Sequence, residues 1–212
     1  MMEGMPTPSL VVGFDLDLTL VDSRERIMSS YLRALHDVGA PVSREDLEPH
    51  LGIPLAQTVA AVAPAVDADA LVLRYRRYYD EESAPSTEPM PGAIAAVRAL
   101  RAAGGRVVVV SAKFTPAAHT ALVEAGLDEL VDAVHGELFA AEKATALLAE
   151  GATIYVGDHP GDMAAAEAAG AYALGVATGA NDEAALKAAG ADEVLATLED
   201  FPGWLSGYLS GP

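Results

Sequence analysis

Cysteine is absent from the 212 residues. The chain therefore has no disulfide framework, no thiolate nucleophile and no thiolate metal site. Lysine is almost missing as well, with Lys113, Lys143 and Lys187 the only three. Positive charge is scarce throughout, 13 Lys and Arg standing against 31 Asp and Glu for a formal net charge of −18. A surface of that sign repels a phosphate backbone, which argues against nucleic acid as a partner and leaves a small phosphorylated molecule open. No apolar run approaches the roughly 20 residues that a membrane-spanning helix needs. Met1 to Pro8 lacks the basic start and apolar middle of a signal peptide, so no membrane association and a cytoplasmic location are expected. Nothing in the sequence sets an oligomeric state. With 51% hydrophobic residues and a clear alternation of strand and helix patterns, the chain reads as folded.

Carboxylates are what the chain has in abundance, and two groups of them sit where strands end. The apolar run Leu10, Val11, Val12 predicts a strand from Ser9 to Phe14, which delivers Asp15-Leu16-Asp17-Leu18-Thr19 at its C-terminal tip. Open α/β sheets place their ligands at such tips. Two acids one residue apart suit phosphoryl transfer: one attacks as a nucleophile, the other handles protons, and a divalent cation screens their repulsion. A second short β-prone run, Thr153 to Val156, empties into Gly157-Asp158-His159-Pro160-Gly161-Asp162. Between these lie the β-branched run Arg106 to Val110, ending in Ser111-Ala112-Lys113, and Lys143, which precedes a helical segment from Ala144 to Glu150.

The punctuation divides the chain. From Ser23 to Glu82 the pattern is helical without a strand-like run, with helices expected after Ser23 to near Gly39, at Ser43 to His50, at Pro54 to Val62 and at Asp67 to Glu82. A Pro-rich linker, Ser83 to Pro91, follows. From Gly92 onward helices alternate with strands, including a helix at Pro116 to Ala125, a strand near Val131 to Val134, a helix at Pro160 to Ala169 and a strand at Tyr172 to Val176. The expected fold class is α/β, a Rossmann-like parallel-sheet core of residues 1–22 and 89–212 carrying an inserted all-helical cap of residues 23–88.

These four motifs in this order resemble the haloacid dehalogenase superfamily, in particular its phosphatases with a small helical cap, such as phosphoglycolate phosphatases. The resemblance runs from about Leu10 to Ala196. It implies that Asp15 is a nucleophile passing through a phosphoaspartate, and that Asp17 is the acid that protonates the leaving oxygen and later activates water. It implies that Ser111 and Lys143 hold phosphoryl oxygens, and that Mg²⁺ is ligated by Asp15, Asp158 and the backbone carbonyl of Asp17. Thr19 would order the first loop, and Asp162 would support the metal site or its lysine. The cap loop His50-Leu51-Gly52-Ile53-Pro54-Leu55 resembles the segment that meets substrate in such enzymes, which makes Gly52, Ile53 and Pro54, with Lys113, candidate substrate contacts. Arg24, Arg74, Arg76 and Arg77 are either contacts for an anionic substrate or solvent-facing residues, and His159 either touches substrate or decorates its loop.

Two positions depart from the family pattern: Leu18 stands where glycine is usual, and Ala144 where proline often follows the lysine. A left-handed backbone at Leu18 would cost about 1–2 kcal/mol. Since residues 23–88 contain no lysine, the cap offers no amine for the Schiff base of the related phosphonatases. A dehalogenase would not need an acid at Asp17. A phosphomutase would share every core motif, and a noncatalytic phosphate-binding protein is the reading from a different class. The expected function is Mg²⁺-dependent hydrolysis of a small phosphorylated metabolite such as phosphoglycolate, a nucleotide or a sugar phosphate.

Overall fold

A computed structural model describes residues 10–81 and 86–211. Its centre is a six-stranded sheet, parallel throughout, built from β1 (Val11–Phe14), β4 (Arg106–Val110), β5 (Ala133–His135), β6 (Ile154–Gly157), β7 (Tyr172–Val176) and β8 (Glu193–Leu195) in the order β5-β4-β1-β6-β7-β8. Alternate residues of each strand face opposite ways. One face of Phe14, Val107, Val109 and Val156 buries against α5 (Ala93–Ala102), α6 (Thr115–Glu124) and α10 (Phe201–Ser210). The other, with Val108, Val110 and Tyr155, packs on α7 (Lys143–Glu150), α8 (Pro160–Ala169) and α9 (Glu183–Ala188). A sheet buried on both sides explains why its strands read as continuous Val and Ile runs instead of alternating ones.

Strand β1 is central, and the chain winds to β4 and β5 on one side before returning to β6 on the other. The crevice between the tips of β1 and β6 is thus the topological switch point, where open α/β sheets bind ligands. The Asp15 amide donates to the Val156 carbonyl at 2.8 Å and ties the two tips together.

Between β1 and α5 the described residues form four α-helices: α1 (Arg24–Asp37), α2 (Arg44–Leu47), α3 (Leu55–Val62) and α4 (Ala68–Tyr79). Their apolar stripes close on one another around Met28, Tyr31, Leu35, Val59 and Leu71. The Tyr31, Tyr75 and Tyr79 rings form a row with centroids 4.7 and 5.8 Å apart. The helix expected over Ser43 to His50 changes to a 3-10 turn at Glu48–His50, since Pro49 brings no N–H to an α-helical bond. The helix expected from Asp67 ends at Tyr79, and Glu82 lies outside the described residues.

The connection through Ser83 to Pro91 differs from a plain linker. Ser83, Ala84 and Pro85 lie outside the described residues, but β3 (Glu88–Pro89) pairs antiparallel with β2 (Val21–Asp22), and the Met90 amide donates to the Leu20 carbonyl at 2.9 Å. The two crossings into and out of the helical segment therefore form one ribbon. The strand expected near Val131 to Val134 begins two residues later, and α9, β8 and α10 extend the core beyond what the sequence pattern marked. No helix among the described residues is long and apolar enough to cross a membrane.

Candidate active site

The loop after β1 folds back on itself within seven residues. Leu20 and Val21 amides both donate to the Leu16 carbonyl at 2.9 and 3.0 Å, and the Leu18 amide donates to Val21 at 2.8 Å. Closing so tight a turn puts Leu18 at φ +63°, in the left-handed region. Its side chain is 2% exposed and packs with the helices α1 to α4, not with the sheet core. The Thr178 hydroxyl, just past the tip of β7, donates to the Leu18 carbonyl at 2.6 Å.

This turn holds Asp15 over the β1–β6 crevice, where it meets the second acidic motif. Asp15, Asp158 and Asp162 are buried, each offering a carboxylate oxygen within 4.8 Å of the others. Lys143 reaches them from the first turn of α7, its Nζ 2.6 Å from Asp15 Oδ1 and 2.7 Å from Asp162 Oδ1. Asp162 is further occupied by the His159 amide at 3.1 Å and the Tyr155 hydroxyl at 3.3 Å, which fix it as the lysine's anchor. Asp158 accepts from the Thr19 hydroxyl at 3.2 Å, and the Asn181 side chain donates to the Asp158 carbonyl at 3.3 Å.

Three buried carboxylates face one ammonium. Burial pushes the Asp15 carboxyl up to about 7 despite the pull of Lys143, with Asp162 and Asp17 adding to the rise. Burial also raises Asp158, helped by its two acidic neighbours. Burial works against the Lys143 charge, but Asp15 and Asp162 outweigh it and keep the ammonium protonated. Hard oxygen donors with this excess of negative charge are the donor set that a divalent cation such as Mg²⁺ takes. Asp162 Oδ1 takes Lys143 and its Oδ2 takes the His159 amide, whereas Lys143 and Thr19 occupy only Oδ1 of Asp15 and of Asp158 respectively, so these two are the carboxylates that could hold a cation.

Asp17 turns away from this cluster. Its Oδ1 accepts from the Ser23 hydroxyl and lies 2.9 Å from Lys113 Nζ. Lys113 itself is nearly buried, with its Nζ 4.5 Å from the Tyr79 ring centroid. Ser111 is buried at the tip of β4, and its hydroxyl accepts from the Lys113 amide at 3.2 Å. Above these residues a chamber of about 710 Å³ opens between the sheet tips and the helices. Asp15, Asp17, Ser111, Lys113, Gly52, Ile53 and Pro54 all line it.

The remaining candidates are placed elsewhere. His159 caps α8, its Nδ1 accepting from the Gly161 amide at 3.0 Å, and its ring lies 5.7 Å from that of Phe139. Of the four arginines only Arg76 lines the chamber; Arg24 lies 3.4 Å from Glu48, Arg77 lies 3.8 Å from Asp37, and Arg74 donates to the Ala70 carbonyl of its own helix. Ala144 sits inside the first turn of α7 and leaves Lys143 in place.

The sequence reading missed Ser23, Tyr155 and the segment Thr178 to Asn181. That last segment carries the signal already used twice, a β-prone run ending at a strand tip. Two glycines there and at β6 are required by close approach. A Cβ at Gly179 would stand 1.7 Å from Asp158 Oδ2, and one at Gly157 would stand 2.3 Å from Asp162 Oδ2.

The sequence model for haloacid dehalogenase-like hydrolases matches residues 12–176, from β1 through β7. The chain belongs to that family. The matched span contains all four motifs. Over 176 residues it is 36% identical to the phosphoglycolate phosphatase of Cereibacter sphaeroides, covering 75% of this chain and 81% of that one. It is also 34% identical over 131 residues to the tyrosine-protein kinase PtkA of Mycobacterium tuberculosis, covering 61% of this chain. Here the match spans somewhat less than half of the relative, 45% of its length. The haloacid dehalogenase-like fold is matched by the crystal structure of a predicted phosphatase from Clostridium acetobutylicum, with a TM-score of 0.84 at 24% identity over 94% of this chain and 99% of that one.

Proposed function

We propose that this enzyme is a Mg²⁺-dependent phosphatase that hydrolyses a small phosphomonoester metabolite through a phosphoaspartate at Asp15. The observation that carries the reading is the buried set of Asp15, Lys143, Asp158 and Asp162, of which Asp15 lines a chamber that also presents Asp17 and Ser111. In this reading residues 23–88 are a cap domain over the core of residues 1–22 and 89–212, and the enzyme works in the cytoplasm. The phosphatase relative is matched over 75% of this chain, against 61% for the kinase, and this favours hydrolysis.

Asp15 attacks phosphorus while the phosphorus–oxygen bond to the leaving alcohol breaks. Asp17 gives that oxygen its proton as it departs. Lys143 and Ser111 take charge on the equatorial oxygens, the lysine as a point charge and the serine as a directed donor. Asp17 then removes a proton from water, which attacks the phosphoaspartate, frees inorganic phosphate and restores the Asp15 carboxylate. Lys113 and Ser23 hold the Asp17 carboxyl group towards the chamber in both half-reactions. Mg²⁺, with Asp15, Asp158 and the Asp17 carbonyl as its protein ligands, would supply the positive charge that lets an anionic nucleophile approach a phosphate dianion.

The test is a panel of phosphorylated metabolites assayed with Mg²⁺ and with excess chelator. Turnover that needs the metal and vanishes in Asp15→Asn is the expected result. Undiminished hydrolysis by Asp15→Asn, or hydrolysis indifferent to chelation, overturns the assignment.

A further inference from the structure

The chamber above Asp15 is far larger than a two-carbon acid needs. At about 710 Å³ it falls in the range of about 300–1,000 Å³ that encloses drug-sized ligands. Its walls are mostly apolar, with Ile27, Tyr31, Ile53, Leu55, Tyr75 and Phe114 among them. Among the described lining residues the only Lys or Arg side chains are Lys113 and Arg76, and both are engaged. Lys113 is held by Asp17 at 2.9 Å and by the Tyr79 ring. Arg76 lies 3.7 Å from Glu137 and 4.0 Å from the Phe114 ring centroid. Three acids outside the catalytic set, Asp80, Glu137 and Glu142, line the same space.

Such a chamber rewards one kind of leaving group and repels another. Apolar and aromatic walls stabilise a ring laid against them, and contacts made away from the reacting phosphorus are available to orient it. With Glu137 and Arg76 offsetting each other, a second anionic group meets Asp80 and Glu142 and no unengaged lysine or arginine, which costs affinity through like-charge contact. On the footing of the phosphatase reading above, we propose that this enzyme selects monoesters whose alcohol bears an aromatic or bulky apolar group and no second negative charge. Phosphoglycolate, small and carrying a carboxylate, is then a poor substrate despite the identity to a phosphoglycolate phosphatase.

Three primary alkyl phosphates separate these terms because their leaving groups are chemically alike: ethyl phosphate, 2-phenylethyl phosphate and its ring-carboxylated analogue. With the full chain and Mg²⁺, kcat/KM for the phenylethyl ester should exceed that for the ethyl ester by about tenfold or more, the scale of burying part of one ring. The ring carboxylate should cancel that gain. Glu137→Gln, which releases Arg76, should narrow the gap between the charged and uncharged rings several-fold. Equal values for the ethyl and phenylethyl esters, or a preference for the carboxylated ring or for phosphoglycolate, overturn the inference while leaving the phosphatase reading intact. No turnover of any phosphate ester refutes the phosphatase reading and this inference with it.

Discussion

Replacing Leu18 with glycine sets two effects of known sign against each other. The residue sits at φ +63°, which costs a non-glycine residue about 1–2 kcal/mol that glycine would recover. Its side chain, 2% exposed, fills space among α1 to α4, and removing a buried leucine costs about 2–5 kcal/mol. Packing wins, and Leu18→Gly should be less stable by about 2 kcal/mol from these ranges. In a chain of this length that corresponds to a fall in Tm of roughly 4–8 °C. Urea unfolding followed by circular dichroism, with thermal melts alongside, measures it. The turn itself should survive, since the backbone bonds of Leu18 to Val21 and Thr178 do not involve its side chain. A variant as stable as the parent or more so would show that strain is at least as large as packing, and would refute the view that leucine is kept there for its contact with α1 to α4.

Asp17→Asn should slow phosphoenzyme formation from alkyl phosphates more than from aryl phosphates, whose leaving groups depart with less protonation; rapid-quench rates for the two classes check this, and equal losses would speak against the acid role. Gly179→Ala should displace the Asp158 carboxylate and lower Mg²⁺ affinity by about 10–100-fold while the protein stays folded, measured by metal titration of activity and by circular dichroism. Arg26 of α1 pairs with Glu124 of α6 at 2.6 Å, and the Thr87 amide donates to the same carboxylate at 3.0 Å. Partial burial would raise Glu124, but these partners outweigh it and hold its carboxyl below the usual range. A depressed carboxylate adds stability above its unfolded pKa of about 4.3 and loses it as pH falls through the folded value. The Tm difference between parent and Glu124→Gln should therefore shrink on acidification below about pH 4.3, and a gap that stays constant would deny the pair a role.

Much of the core was legible because its strands are buried on both faces. The runs Val107 to Val110 and Ile154 to Val156 are apolar without interruption, and each ends in the polar residues that form the site. The β2–β3 ribbon was not legible: two-residue strands carry no period, and Pro89 argues against a strand unless it lies on an edge. The C-terminal elements were missed for a related reason, as α10 contains Pro202, Gly203 and Gly207, which weaken a helical reading. In the site, Asp15 and Asp158 announced themselves by chemistry at strand tips. Gly179 and Thr178 did not, because their work is to leave room for one carboxylate and to hold one carbonyl. The Lys113–Asp17 pair joins residues distant in sequence, and only the packing of β4 beside β1 brings them together.

Hydrolysis through Asp15 requires a covalent bond from phosphorus to its carboxylate. Enzyme mixed with Mg²⁺ and a radiolabelled phosphomonoester, quenched in acid within milliseconds and digested, should yield one labelled peptide containing Asp15, with the label released by hydroxylamine as an acyl phosphate requires. Asp15→Asn should give no labelled peptide and no turnover. Steady turnover with no acyl phosphate at Asp15, or a label carried by another residue, would contradict the account.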